Sequence, residues 1–411
     1  MSDSHKVLTC ACRCVQLALK LDNYLLPYCI PQCLEGPGQI AQLGEFLRQG
    51  GLQDVLVVTG AGMVRRGQVQ PLLDSLDRAG IRHTLLTYDR SDPTSQDVEL
   101  GFRTYQENHC QGIVAFGGGS RIDCAKAIAA RAAQPKKTVA QLQGLLKVRR
   151  RVPPLAAIPT TAGAGSETTL AAVIIDSDTG RKASINDPRL IPAYAVLDAA
   201  VTVGLSPHLT AITGMDALTH AVEAYLNHTY NTPVEEELAL RAVRLIHGNL
   251  RTAYENGQDL EARQNMQQAA FCAGRAFTRG CVGYVHALGH TLGSVYGIPH
   301  GLAMAVLLPL VLEAYGPKVH RRLAALARAC GMEGSSDAAL AQAFLDWIRS
   351  LNRQMDLPEA FPEIRSEDIP QMADWAFREA NPLYPVPVIW DRPQLSQLLH
   401  RAACRRCQLR D

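Results

Sequence analysis

Gly112-Ile-Val-Ala-Phe-Gly-Gly-Gly-Ser-Arg-Ile-Asp-Cys-Ala-Lys126 is the stretch on which the fold turns. Its first five residues, Gly112 to Phe116, form a short apolar run that reads as a strand buried on both faces. Gly117, Gly118, Gly119 and Ser120 follow at once and open a helix through Asp123, Lys126 and Ala130. Glycines at such a turn let the backbone approach a phosphate, and the free N–H groups of a helix start favour negative charge. Ser120 reads as the N-cap, adding a hydroxyl donor. A glycine run taken alone suits a purely geometric tight turn almost as well.

The same alternation extends on both sides. Asp54–Thr59 is a second apolar strand, followed by a helical pattern over Gln68–Ala79. His83–Tyr88 reads as a strand, Thr94–His109 as a helix and Leu155–Ile158 as a further buried strand. Short strands separated by helices predict a parallel sheet covered on both faces. Leu170–Ile175 and residues 181–185 flank Asp176-Ser-Asp-Thr-Gly180, a turn composition suited to a hairpin. After the first strand, Gly60-Ala-Gly62 only approximates the dinucleotide fingerprint, because Arg65 stands where the third glycine belongs. The turn at Gly117–Ser120 is therefore the better pyrophosphate candidate. Pro159-Thr-Thr-Ala-Gly-Ala-Gly-Ser-Glu167-Thr-Thr169 follows a buried strand with a loop dense in hydroxyls, suited to a ribose, phosphate or carboxamide.

The character changes at Ser206-Pro207, an N-cap with proline at the first helical position. Helical patterns then follow one another at 207–227, 233–256, 259–279, 284–296, 301–315 and 318–330, with a proline-rich break at Pro382–Pro387. This predicts an α/β domain over 1–205 and an all-helical domain over 206–411. Val7–Tyr28 has a helical apolar pattern. It is expected to pack against the α/β domain in preference to serving as a partner-directed peptide.

In the helical part, Asp216 and His220 stand four apart and project from one helix face. His286 and His290 repeat that spacing, and His300 follows. A single helical histidine is usually a satisfied core or surface residue. Two pairs and a further histidine in otherwise apolar helices point to a metal. Imidazoles with a carboxylate suit Zn²⁺ or Fe²⁺ and leave positive charge for Lewis-acid chemistry. Phe271, Phe277, Tyr284 and Tyr296 surround these motifs and read either as the lining of a small, partly apolar pocket or as core.

Bulk properties narrow the partners. The 411 residues carry a formal charge of only +2, which gives no long-range field for a polyanion. The cluster Lys147-Val-Arg-Arg-Arg151 reads as a solvated loop, so no nucleic-acid partner is expected. Leu302–Leu312, the longest apolar stretch, contains Pro309 and reads as far too short to span a bilayer. With no signal-peptide pattern at the start, a soluble cytoplasmic chain is expected. The 12 cysteines include Cys10, Cys12, Cys14 and a Cys404/Cys407 pair, and are expected to be reduced thiols because a core this large needs no disulfides.

GGGSRIDCAK, PTTAGAGSETT, GMDALTHAVEAY and VHALGHTLGSVYGIPHG occur in this order, and together they resemble the iron-containing (group III) alcohol dehydrogenase family over nearly the whole chain. The resemblance implies the dehydroquinate-synthase-like fold and an active site in the cleft between a dinucleotide-binding and a helical domain. It implies Asp216, His220, His286 and His300 as metal ligands, and His290 beside the nicotinamide in a proton-relay or positioning role. Gly118, Gly119, Ser120, Thr160, Thr161, Thr169 and Lys182 resemble cofactor contacts, to which Gly60, Gly117 and Asp123 are added as candidates.

Two departures stand out. Ala164 replaces the family's usual threonine, which predicts a modest change in cofactor affinity. Gly60 stands where many members carry an aspartate that binds the adenosine ribose, and its loss removes the repulsion of a 2′-phosphate. NADP(H) preference, or dual use with NAD(H), is the expectation. The implied reaction is reversible hydride transfer between a small primary alcohol or aldehyde and the nicotinamide, with Fe²⁺, or alternatively Zn²⁺, in a homo-oligomer, dimer or higher. A polyol dehydrogenase or a dehydroquinate-synthase-like lyase shares the architecture but fits GMDALTHAVEAY less well. A catalytically silent scaffold is the reading from another class.

Overall fold

The computed structural model describes residues 3–26, 28–90, 92–180 and 182–404. By internal contacts the chain forms two units, one of residues 27–205 with 258–274, the other of the remaining chain. The expected domains of 1–205 and 206–411 thus need correction at two segments.

The first is helix α1 (Asp3–Leu25), which belongs to the helical unit and does not pack as expected. Arg13 donates from Nη2 to the carbonyls of Val386 (2.8 Å) and Pro387 (2.9 Å). Gln16 donates to those of Pro382 (3.0 Å) and Tyr384 (2.8 Å). A proline-rich extended segment offers carbonyls with no ladder partner, and the helix supplies donors for them.

The α/β unit is built on strands β1 (Gln32–Glu35), β2 (Asp54–Gly60), β3 (Arg82–Tyr88), β4 (Gly112–Gly117), β6 (Leu155–Pro159) and β9 (Tyr194–Leu197). All six are parallel, in the order β1-β9-β6-β4-β2-β3. Helices α2 (Leu43–Gln49), α3 (Ala61–Arg65), α4 (Gln70–Arg78), α5 (Ser95–Glu107), α6 (Gly119–Ala133) and α7 (Val139–Leu142) connect them. Side chains alternate along each strand between two cores. Val55, Val57, Val114 and Phe116 meet Leu43, Leu47, Leu72 and Leu76 on one face. Leu56, Val58, Ile113 and Ala115 meet Ile122, Ile128 and Ile174 on the other. Both faces are covered, so the strands read as continuous apolar runs. A smaller sheet joins β5 (Gly144–Leu145), β8 (Lys182–Asn186) and β7 (Ala171–Ile175), with β7 and β8 the antiparallel hairpin of the sequence reading. Arg181, which that reading included, lies outside the described residues.

The second correction is helix α10 (Leu260–Gly280), whose first part through Gly274 groups with the α/β unit. Gln264 donates to Leu197 O (2.9 Å) and Gln267 to Pro159 O (3.0 Å), satisfying carbonyls where β9 and β6 end.

The helical unit contains α8 (Pro207–Leu226), α9 (Pro233–Glu255), α11 (Tyr284–Tyr296), α12 (His300–Tyr315), α13 (His320–Ala329), α14 (Asp337–Gln354), α15 (Ile369–Ala380) and α16 (Arg392–Ala403). Ser206 caps α8 by accepting from Leu209 N at 3.2 Å. Residues His300–Lys318 are long and apolar enough by composition to cross a membrane, more than Leu302–Leu312 alone suggested, but 67% of that stretch is buried in the protein. Small residues draw the site-bearing helices together. A Cβ on Gly301 would lie 2.1 Å from Ile212 O of α8, and one on Gly289 would lie 2.1 Å from Met304 Cε of α12.

Candidate active site

Three helices of the helical unit bring Asp216, His220, His286 and His300 together. Asp216 and His220 lie one turn apart in α8, His286 in the first turn of α11, and His300 at the first position of α12. One donor atom from each can be chosen so that all lie within 4.8 Å of one another. Asp216 Oδ1 is 3.3 Å from His300 Nε2, 3.8 Å from His220 Nδ1 and 3.9 Å from His286 Nε2. Asp216 Oδ1, His220 Nδ1 and His286 Nε2 are buried with no hydrogen-bond partner. Three orphaned polar atoms facing one point are costly in an apolar interior, and a bound cation would satisfy all of them at once. The donor set also fits a divalent ion chemically, since His220 and His286 are held neutral. Burial pushes His220 down to about 3 and His286 well below its usual value. Burial opposes ionisation of Asp216, but His220 and His300 outweigh it and keep the carboxyl ionised.

Glu223, which the sequence reading quoted but assigned no role, anchors this cluster. It is buried on the last turns of α8 and sits at the N-terminus of α11, accepting from Gly283 N and Val285 N, both at 2.7 Å. Its Oε2 also meets His286 Nδ1 at 2.6 Å. Only glycine fits at 283, where a Cβ would stand 2.7 Å from Glu223 Oε1. Burial raises Glu223 to about 7, opposed by those backbone donors. With Nδ1 bonded to Glu223, His286 presents Nε2 to the cluster. Phe277 stacks on the His220 ring (4.1 Å, 12°), fixing its plane.

His290 stands one turn beyond His286, with its ring 5.3 Å from that of His300 and nearly parallel to it. Its Nδ1 meets Glu379 Oε1 at 2.7 Å, and Tyr384 donates its hydroxyl to the same oxygen at 3.0 Å. Burial raises the Glu379 carboxyl, but His290 and Tyr384 outweigh that and leave it lowered. Sequence reasoning missed Glu379, since a lone acid on an amphipathic helix carries no signal. Of the four aromatics proposed around the motifs, Tyr284 is core, bonded through its hydroxyl to Asn381 (3.1 Å), and Phe277 touches the site. Tyr296 donates to Asp368 at 2.6 Å, and Phe271 lies in the α/β unit.

In the α/β unit, Gly117–Ser120 forms the turn from β4 into α6. Gly118, not Ser120, occupies the N-cap position, and Ser120 lies within the first turn. Its backbone needs the missing side chains. A Cβ on Gly118 would lie 3.3 Å from Thr161 Oγ1, and one on Gly119 would lie 2.9 Å from Ala164 Cβ. Thr160 is buried with a hydroxyl that has no partner, and so offers a free polar group beside this turn.

Other candidates act inside the protein. Asp123 accepts from Ser166 Oγ (2.6 Å) and Val173 N (3.0 Å), tying α6 to the hydroxyl loop and β7. Thr169 Oγ1 accepts from the buried Lys126 ammonium at 2.8 Å. Lys126 also reaches Ser166 Oγ, Thr169 O and Ala171 O, so it holds the loop in shape. Lys182 pairs with Asp92 at 3.0 Å on the surface. Gly60 ends β2, opposite Tyr88 in register. No disulfide joins the described cysteines, and Cys407 of the Cys404/Cys407 pair lies outside the described residues.

Residues 31–199 match the iron-containing alcohol dehydrogenases, and residues 210–403 match the C-terminal part of the Fe-containing alcohol dehydrogenase family. The probable alcohol dehydrogenase EutG of Escherichia coli (strain K12) is 40% identical over 307 residues, 75% of this chain and 77% of that protein. A crystal structure of 1,3-propanediol oxidoreductase superposes with a TM-score of 0.87 at 33% identity, covering 92% of this chain and all of the other. Sulfoacetaldehyde reductase from Bifidobacterium kashiwanohense, solved in complex with NAD+, superposes with a TM-score of 0.83 at 28% identity, covering 93% and 99%. The class is thus an alcohol or aldehyde oxidoreductase that works with a metal and a nicotinamide cofactor. Within that class, the chain belongs to the iron-containing alcohol dehydrogenase family.

Proposed function

We propose that this chain interconverts small primary alcohols and aldehydes by hydride exchange with NADP(H), alone or alongside NAD(H), and that Asp216, His220, His286 and His300 hold a ferrous ion. The observation that carries the reading is the convergence of three buried, unpartnered donor atoms on one point. A divalent ion there supplies Lewis-acid stabilisation of negative charge on a substrate oxygen, and the nicotinamide supplies or accepts the hydride. Oxidation of the alcohol also releases the hydroxyl proton, and His290 is the group placed to take it. Glu379 accepts from Nδ1, so His290 keeps Nε2 as its basic atom, and the tautomer is fixed by that bond. In reduction, the same Nε2 returns the proton. Tyr384 braces Glu379 and so holds the ring. On the cofactor side, the turn at Gly117–Ser120 supplies N–H donors for the diphosphate, and the Thr160 hydroxyl and Thr161 lie beside it. Gly60 supports use of NADP(H), because no carboxylate stands there to repel a 2′-phosphate.

The test is metal analysis with turnover on a panel of C2–C6 aldehydes, diols and hydroxy acids. His286→Ala and His300→Ala should lose the ion and activity together. Full turnover by a metal-free variant would sink the assignment, and zinc in the protein isolated from its host would overturn iron. A lyase would show no net change in nicotinamide absorbance. Reduced thiols fit a cytoplasmic setting, and the exposed apolar residues Val7, Leu17, Leu21 and Tyr24 of α1 favour a homo-oligomer, which light scattering measures.

A further inference from the structure

We propose that Arg121 receives the 2′-phosphate of NADP(H) and sets the cofactor preference of this chain; the proposal rests on the NADP(H) reading above and names the residue behind it. Arg121 leaves the first turn of α6 and runs back across the ends of three neighbouring strands. At the end of β4 it passes Gly117, where a Cβ would lie 2.4 Å from its Cγ. At the end of β2 its guanidinium faces Gly60, where a Cβ would lie 3.5 Å from both Nε and Nη2. At the end of β3 it stacks on Tyr88, 4.0 Å from the ring centroid, and Nη1 donates to Arg90 O at 2.8 Å. Tyr88 is itself braced through its hydroxyl to Ser120 O at 3.1 Å. The path past β4 exists only because position 117 carries no side chain, whereas a Cβ at 60 would stand in ordinary contact with the guanidinium.

Charge and reach agree. Arg65, Arg66, Arg90 and Arg121 cluster around these strand ends, while the carboxylates paired with them are Asp89, 3.3 Å from Arg65, and Asp97, 3.6 Å from Arg90. Thr59 pairs with Phe116 in register, so Gly60 lies beside Gly117 and one strand spacing, about 4.8 Å, from the diphosphate turn. A ribose joined to a diphosphate on that turn reaches Gly60 directly. The other flank of the turn, at the end of β6, offers hydroxyls and an ammonium, Lys126, whose donors hold the loop. A planar guanidinium fork matches a phosphomonoester, whereas a carboxylate at position 60 would lie against it and neutralise it.

The experiment compares dissociation constants of NADPH and NADH for the full chain and two variants, by quenching of nicotinamide fluorescence. Arg121→Gln should lower the NADPH-to-NADH affinity ratio by about tenfold or more, the loss of a charged hydrogen-bonded pair. Gly60→Asp should lower the same ratio by placing a carboxylate on the guanidinium, and it gives the answer if the first variant fails to fold. A merely structural role for Arg121 would weaken both cofactors alike, and an unchanged ratio in both variants overturns the proposal while leaving NADP(H) use intact. An unmodified protein that binds NADPH no better than other members' aspartate would allow, far below NADH, overturns both readings.

Discussion

Glu223 carries three short bonds on two oxygens, two to backbone N–H groups and one to His286 Nδ1. Behind a histidine proposed to hold a metal, such a carboxylate fixes the ring and raises the basicity of the atom facing the cluster. Glu223→Gln keeps the shape but weakens this hold. Metal affinity should fall about ten- to a hundredfold, as read by competition with a chelator, while the fold is retained. An unchanged affinity would show that packing alone orients His286. Glu379 stands in the same relation to His290, a residue outside the proposed ligand set. Glu379→Gln should therefore leave metal content intact and lower kcat by about a hundredfold, the size of a lost acid–base contribution. Loss of metal in this variant, or normal kcat with a normal pH profile, would remove His290 from the proton path.

At the scale of elements, helix starts were the most legible features. Ser206-Pro207 and Thr94 with Asp97 mark helix starts through local bonds that any context would preserve. Strands β1 and β9 escaped detection because four residues each are too few to show a period. How closely helices approach is a tertiary matter that glycines record only afterwards. Gly301 follows His300 at the start of α12, and a side chain there meets the backbone of α8 at Ile212 O, 2.1 Å away. Backbone cannot yield as a side-chain end does, so Gly301→Ala must shift α12 from α8 and His300 from Asp216. Denaturant unfolding should show a loss of about 2 kcal/mol, within the range of core overpacking, together with weaker metal binding. Stability and affinity both unchanged would contradict this packing.

Across the whole molecule, buried charge makes stability depend on pH. Glu167, in the hydroxyl loop, is raised by burial to about 7 from its ordinary 4.5. Between those values the folded chain keeps a proton that the unfolded chain has lost, so stability falls as pH rises through the window. Glu167→Gln removes that cost. Its melting temperature should match the unaltered protein near pH 4 and exceed it at pH 8. Equal melting temperatures at both values would mean that the neighbouring Lys126 ammonium compensates the carboxylate in full.

The sequence by itself determined what rests on neighbours along the chain. The glycine turn after a buried strand, the capped helices and the Asp216/His220 and His286/His290 pairs follow from backbone periodicity within one or two turns. Together with their order, they carried the family and four converging side chains. Only the tertiary structure decided which carboxylates serve which histidines. Glu223 meets His286 across 63 positions and Glu379 meets His290 across 89, and on a helix either acid has the same pattern as a solvated one. The same holds for α1 and the first part of α10. Their donors found carbonyls at Pro382–Pro387 and at the ends of β6 and β9, which no local pattern announces.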